Sequence, residues 1–191
     1  ADIELFEELA REDGCWEGPR HFADVHTAVS YFRGTQLHPS TPLHQRPGSL
    51  VTVMAGLPAS GKNAWVDRHR KGLPVISFDD ARVELGLAHG RNEGAVAHHA
   101  VDKAKELLRK RAPFVWNATH LSTQMRGKTV DLAFAYGATV EIVHLEQPYE
   151  VLMQRNARRD TSLSNAAIER MLWKWEVPSP IEAHRVMLVE P

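Results

Sequence analysis

The stretch Leu50-Val51-Thr52-Val53-Met54-Ala55-Gly56-Leu57-Pro58-Ala59-Ser60-Gly61-Lys62 decides how this chain folds. An apolar run from Leu50 to Ala55 stops at Gly56, and residues 56 to 62 fit the G-x-x-x-x-G-K frame of a phosphate-binding loop. A buried strand, a glycine-bounded turn and a helix in immediate succession aim several backbone N–H groups at one spot. There the unsatisfied donors and the helix dipole favour an anion. Lys62 adds a charge that reaches the β- and γ-phosphates of a nucleoside triphosphate. Gly56, Pro58, Ala59, Ser60, Gly61, Lys62, Asn63 and Ala64 are therefore the expected nucleotide-binding residues. An ordinary strand-turn-helix with a surface lysine is the competing reading, and the matching context outweighs it. The frame normally closes on Ser or Thr, whose hydroxyl holds Mg²⁺, but here it closes on Asn63. An amide oxygen is a legitimate but unusual ligand for a hard cation. ATP or another nucleoside triphosphate with Mg²⁺ or Mn²⁺ is expected, and Asn63 is the candidate metal ligand.

Outward from this loop the pattern is strand then helix, repeated. Pro74–Phe78 (PVISF), Pro113–Trp116, Thr139–Leu145 (TVEIVHL) and Arg185–Val189 read as strands. Helices are expected over Gly61–Arg70, Asp79–Leu85, Glu93–Lys110, Leu121–Tyr136 and Tyr149–Arg159, and from Ser164, a good N-cap, to Trp175. The alternation implies an α/β fold with a parallel five-stranded sheet and helices on both faces. Upstream, Ile3–Arg11 places Leu5, Phe6 and Leu9 on one helical face, and His21–Arg33 reads as a helix or a helix running into a strand. Gln36–Ser49, with Pro39, Pro42, Pro47 and Gly48, reads as a linker. The expected organisation is a short, mostly helical accessory segment over 1–48 and a phosphate-loop domain over 49–191.

At 191 residues there is room for one substantial domain and an appendage, and 43% hydrophobic with 25% charged residues is a soluble globular composition. With 23 basic against 24 acidic residues, the charge argues against a broad nucleic-acid-coating surface, but not against a local basic groove for one strand end. The single cysteine, Cys15, forms no internal disulfide, so a reducing, cytoplasmic compartment is the default. No apolar run reaches membrane-spanning length and no secretory signal opens the chain. The chain opens at Ala1 inside a helical pattern, as expected of a piece cut from something longer.

In a parallel sheet, ligands gather beyond the carboxyl ends of the strands, which singles out three segments. Ser77-Phe78-Asp79-Asp80-Ala81-Arg82 follows the second strand. Asp79 and Arg82 share a helical face, a carboxylate suited to accept a hydroxyl proton and a guanidinium suited to hold an anion. Either aspartate could instead be only a helix N-cap. Trp116-Asn117-Ala118-Thr119-His120 follows the third strand, where enzymes with this phosphate-binding loop often carry a metal-linked acid. Asn117, Thr119 and His120 are expected to face substrate, with His120 open to a second reading as a loop histidine hydrogen-bonded to backbone. With amides at 63 and 117, the ion is expected to sit mainly on phosphate oxygens and water, oriented through Asp79, Asp80 or Asn117. The third segment is Gln154-Arg155-Asn156-Ala157-Arg158-Arg159, with Arg155 and Arg159 on one face near a helix end. Such arginines stabilise charge on a transferring phosphoryl group, or simply complement the helix dipole. Other candidates are weaker. His98-His99 lack a spaced acid, His38 and His44 read as solvated loop residues, and Arg68, His69, Arg70 and Lys71 read as a solvated helix end. Trp173 and Trp175 favour packing over base stacking, and Cys15 reads as structural.

Taken together, GLPASGK, DDAR, NATH and RNARR resemble the P-loop polynucleotide 5′-hydroxyl kinases, related to the phage end-healing kinase, over about residues 50 to 190. LPVISFDDAR, FVWNATHLS and KWEVPSPIEAH look more closely like the kinase module fused behind an HD-type phosphohydrolase in bacterial RNA-repair proteins. The resemblance implies a P-loop kinase domain over 49–191, with Lys62 on the γ-phosphate and Asp79 as general base on the 5′-OH. It implies Arg82 on the phosphate next to the acceptor nucleoside, and Arg155 and Arg159 as lid arginines on the ATP phosphates. It also implies an upstream HD-type partner module outside this sequence; no membrane partner is expected, because no apolar run is long enough to span one. Asn63 for Ser/Thr, Asn117 for Asp and His120 for Asn depart from the family pattern and bear on metal affinity more than on the reaction. The expected function is ATP-dependent phosphorylation of a polynucleotide 5′-OH end, RNA or DNA, in nucleic-acid repair. A metabolite or nucleoside kinase of the same fold, and a non-catalytic nucleotide-binding module, are the alternatives.

Overall fold

The computed structural model describes residues 48–88, 90–159 and 163–189. The expected accessory helices, Cys15, His38 and His44 lie outside the described residues. Strand β1 (Leu50–Ala55) is the centre of a five-stranded sheet ordered β2-β3-β1-β4-β5. Its neighbours are β3 (Phe114–Asn117) and β4 (Thr139–Leu145), with β2 (Val75–Ser77) and β5 (Arg185–Val189) at the edges. Every pairing is parallel. A central parallel strand is covered on both faces, which is why β1 reads as a continuous apolar run. Val51, Val53, Met54 and Ala55 are all fully buried.

Alternation along β1 assigns the two faces. Val51, Val53 and Ala55 pack with Val96, Ala100, Ala104 and Leu108 of α3 (Glu93–Arg109) and Val130 and Ala133 of α4 (Thr123–Ala135). Met54 points the other way, toward Val66 of α1 (Lys62–His69) and the side chains of Val115, Val143 and Leu145. The strand order reverses at β1, so the crevice beyond its carboxyl end, between β3 and β4, is where this topology presents a ligand.

Several boundaries are tighter than the sequence predicts. Phe78 was expected at the end of β2 but opens α2 (Phe78–Leu85), because Ser77 takes the N-cap and accepts the Asp80 amide at 3.0 Å. Helix α5 (Tyr149–Ala157) ends before Arg158 and Arg159, and α6 (Asn165–Leu172) begins after the expected Ser164 cap.

Two buried charges tie distant segments together. Arg126 is fully buried in α4, and donates from Nε to Glu182 at 2.6 Å and from Nη1 to the carbonyls of His120 and Glu176 at 3.0 and 2.8 Å. Glu182 lies in the 3₁₀ turn Pro180–Glu182, so this guanidinium fastens the KWEVPSPIEAH segment to the β3–α4 loop. A pair of this kind contributes only when complete; removing one partner strands a buried charge. On the other face, Arg70 pairs with the buried Glu141 of β4, which also accepts from Thr52 at 2.6 Å. Arg70, expected to be a solvated helix end, is instead the clasp that holds the end of α1 to the sheet.

Candidate active site

The loop between β1 and α1 is built by backbone shape. Gly56 has φ 138° and donates its N–H to the Thr119 carbonyl at 2.9 Å. A Cβ there would sit 2.5 Å from the Leu145 carbonyl oxygen, so no other residue fits between β3 and β4. Gly61, at φ 100°, caps α1 with no side-chain hydrogen bond, which leaves the first amides of the helix open to an anion. Ala59 also takes a left-handed φ of 65°. Lys62 folds across its own loop, its Nζ donating to the Gly56 and Leu57 carbonyls at 2.8 Å each.

Burial, and next the Arg159 guanidinium, lower the Lys62 pKa to about 8, while Asp79 pulls in the opposite direction. Lys62 is therefore charged below that value and loses its proton above it. A bound triphosphate favours the ammonium and raises its pKa, so binding takes up a proton on the alkaline side. Nucleotide affinity is expected to be flat below about pH 8 and to fall about tenfold per unit above it, until the pKa of the complex is reached. Calorimetric titrations across that range check this, with Lys62→Met expected to give weaker and pH-independent binding.

Asp79 and Arg82 meet as their spacing predicts, Arg82 Nη1 donating to Asp79 Oδ1 at 2.7 Å. The Asp79 side chain is 80% exposed in front of the loop. Asp80 is committed to the helix cap, accepting the Ser77 hydroxyl at 2.7 Å, whereas Asp79 is held by Arg82. Sequence reasoning missed Glu93. It takes Arg82 Nη2 at 2.6 Å and Nε at 3.3 Å, and also accepts the Gly90 amide at 2.9 Å. The hydrogen bond to Glu93, with the charges of Glu93 and Asp79, raises the Arg82 pKa.

At the end of β3, Asn117 spends its amide on a neighbour, Nδ2 donating to Asn63 Oδ1 at 2.8 Å. Thr119 contributes its carbonyl to Gly56. His120 is buried, with Nδ1 2.7 Å from the Met54 carbonyl and Nε2 3.0 Å from Thr129 Oγ1. The carbonyl can only accept, so Nδ1 carries the proton and Nε2 receives the threonine hydroxyl. Burial lowers its pKa to about 4, in keeping with a neutral ring. Both nitrogens are occupied by the fold, and the expected substrate contact gives way to the backbone-bonded reading. The expected Asn63 metal ligand is also turned away, since its oxygen accepts from Asn117. Two neutral amides that bond each other are a poor donor set for a hard divalent ion, which prefers carboxylates. Among the described residues no group of three His, Cys, Asp or Glu could hold one. The residues present do not fit a protein-held metal.

The arginines come to the loop from the far side. The place a Cβ on Gly61 would occupy is 3.6 Å from Arg155 Nη1, and Arg159 acts on the Lys62 pKa. Asn156 anchors the segment carrying Arg159, donating to the Leu163 carbonyl at 2.7 Å and accepting its amide at 3.1 Å. A cavity of about 510 Å³ opens beside the loop, lined among others by Leu57, Ser60, His144, Tyr149, Leu152 and Trp175. His144 stacks on Trp175 with centroids 5.6 Å apart. Ser60 Oγ, both ring nitrogens of His144 and Trp175 Nε1 are buried there without a hydrogen-bond partner. Burial lowers the His144 pKa to about 4, so the ring offers one donor and one acceptor. Trp175 packs with the cluster of Leu57, Leu121 and Leu152 as expected, whereas Trp173 is 90% exposed.

This fold and loop define a P-loop kinase-like domain. The chain belongs to the AAA domain family, which matches residues 51–178. No curated protein matches it in sequence. Among solved structures, a chain of the Pnkp1/Rnl/Hen1 RNA repair complex is similar with TM-score 0.60 and 20% identity, over 71% of this chain and 46% of that one. A sugar kinase from Janibacter sp. HTCC2649 is similar with TM-score 0.53 and 18% identity, over 75% and 86%. Kti12 from Chaetomium thermophilum, in complex with ADP-AlF3, is similar with TM-score 0.53 and 17% identity, over 73% and 88%. At these identities the likeness is one of fold. No helix among the described residues is long and apolar enough to cross a membrane.

Proposed function

We propose that this domain transfers the γ-phosphate of ATP to the 5′-hydroxyl end of RNA or DNA. One observation carries the reading. Arg155 lies beside Gly61 of the phosphate loop, and the charges of Arg159 and of Asp79, which pairs with Arg82, both act on Lys62. This supports a donor triphosphate on the loop with the acceptor hydroxyl beside Asp79.

The acceptor oxygen attacks the γ-phosphorus and passes its proton to Asp79. The bond from that phosphorus to the bridging β,γ-oxygen breaks, and ADP leaves with the electron pair. Lys62, Arg155 and Arg159 stabilise the charge on the moving phosphoryl group. Arg82 holds the phosphate that follows the terminal nucleoside, exchanging a carboxylate partner for it. The donor base enters the cavity beside Ser60, where unpaired donors and acceptors meet its edge. A polynucleotide end needs few phosphate contacts, which suits a nearly neutral chain. The resemblance of DDAR, NATH and RNARR supports a polynucleotide acceptor and a repair setting with an HD-type partner; the sugar-kinase neighbour supports a small acceptor only through the shared fold.

The test is γ-labelled ATP with a 5′-OH RNA oligonucleotide, its DNA twin, free nucleosides and sugars. Label on an oligonucleotide end is expected, with competition by unlabelled strands weakening as salt rises. Label on small acceptors alone would replace this reading with a metabolite kinase. Bound ATP with no transfer to any acceptor would make the domain a nucleotide-binding module.

A further inference from the structure

We propose that this protein adds no affinity of its own for the divalent ion that accompanies a nucleotide, the triphosphate being held instead on Lys62, Arg155 and Arg159. The proposal rests on the nucleotide-binding reading above. In the P-loop frame the position after the lysine and the acid ending the neighbouring strand are the two protein anchors of the ion. Here those positions are Asn63 and Asn117, and they are hydrogen-bonded to each other at 2.8 Å. Whichever way the two amides are turned, one oxygen is spent on the pair and no negative charge remains.

With no acceptor bound, the carboxylates in reach have partners as well. Asp79 is paired with Arg82, Glu93 with the same guanidinium, and Asp80 with the Ser77 hydroxyl. Around the phosphates, positive charge comes from side chains: Lys62 within the loop, Arg155 beside Gly61, and Arg159 acting on Lys62. A site so rich in fixed cations and so poor in anionic ligands recognises the triphosphate itself. The ion then stays where phosphate oxygens and water hold it.

Linkage makes this measurable without turnover. If the protein contributes nothing to metal affinity, the nucleotide binds equally tightly with and without the ion. Calorimetric titration with the β,γ-imido analogue of ATP, in excess EDTA and in excess Mg²⁺, is expected to give dissociation constants within about threefold of each other. Asn117→Asp is expected to open that gap to about tenfold or more, weakening the metal-free complex by repulsion and strengthening the Mg²⁺ complex. Asn63→Ser, which restores the usual hydroxyl, is expected to shift the gap the same way and guards against a folding defect at 117. Mn²⁺ paramagnetic resonance gives a second readout, with the ion expected to bind the protein–nucleotide complex no more tightly than the nucleotide alone. Wild-type binding tightened about tenfold or more by Mg²⁺ would overturn the proposal and leave the nucleotide reading standing. Absence of binding in both conditions would overturn the nucleotide reading, and this proposal with it.

Discussion

Asp79→Asn is expected to lower phosphoryl transfer by about 10²- to 10⁴-fold while nucleotide affinity stays within about threefold. The substitution keeps the size of the side chain and an oxygen for Arg82, so the 2.7 Å contact survives. What disappears is a group that can take the acceptor proton. The side chain is 80% exposed, so no buried contact is lost and the melting temperature should hold. Single-turnover transfer measured beside analogue binding separates the outcomes. Unchanged transfer would move the base elsewhere, and lost binding would make Asp79 a part of the phosphate site. Asp80→Asn is the matched control. Asp80 is engaged with Ser77 at the cap, so its loss should cost a fraction of the helix cap and little of the rate.

That contrast between neighbouring aspartates marks where the sequence stops being legible. The strand, the glycine loop and Lys62 are local in sequence, and their spacing alone dictates the backbone turn. The alternation of strands and helices likewise fixes a parallel sheet, and the carboxyl-end rule points to residues 79, 82, 117 and 155 as candidates for its crevice. Which of Asp79 and Asp80 is tied into the helix cap depended on Ser77 taking the cap, a choice that nearby residues contest on equal terms. Glu93 meets Arg82 only because the turn after α2 brings the start of α3 back against it, and no periodicity reports such a contact. Arg70 looked solvated because its partner, Glu141, lies 71 residues away on a strand that otherwise reads as apolar. The same distance hid the job of KWEVPSPIEAH. Its match to a kinase module pointed to function, yet Glu176 and Glu182 face the buried Arg126 and brace the loop behind His120. His144 stands in the strand TVEIVHL with nothing in the sequence to single it out, and only Trp175, beyond the end of α6, stacks on it to make it a cavity wall.

Arg159→Ala is expected to lower transfer by about 10³-fold or more, with a smaller loss, about tenfold at most, in ground-state nucleotide affinity. Charge on a phosphoryl group grows as its bonds loosen, so a guanidinium aimed at it gains more in the transition state than in the ground state. Arg155, nearer the loop at Gly61, is expected to divide its effect more evenly, with Arg155→Ala weakening nucleotide binding and transfer together. Lysine at either position restores charge but not the planar fork, so rescue should be partial. A basic residue that merely decorated a helix end would move neither quantity. A further readout belongs to Arg159 alone. Its charge is the second cause, after burial, of the lowered Lys62 pKa of about 8. Removing it lets that pKa rise, so the alkaline loss of nucleotide affinity should begin at higher pH in Arg159→Ala than in the wild type. An unmoved pH profile, or an unmoved transfer rate, would return this arginine to the solvent and leave Lys62 and Arg155 to hold the phosphates between them.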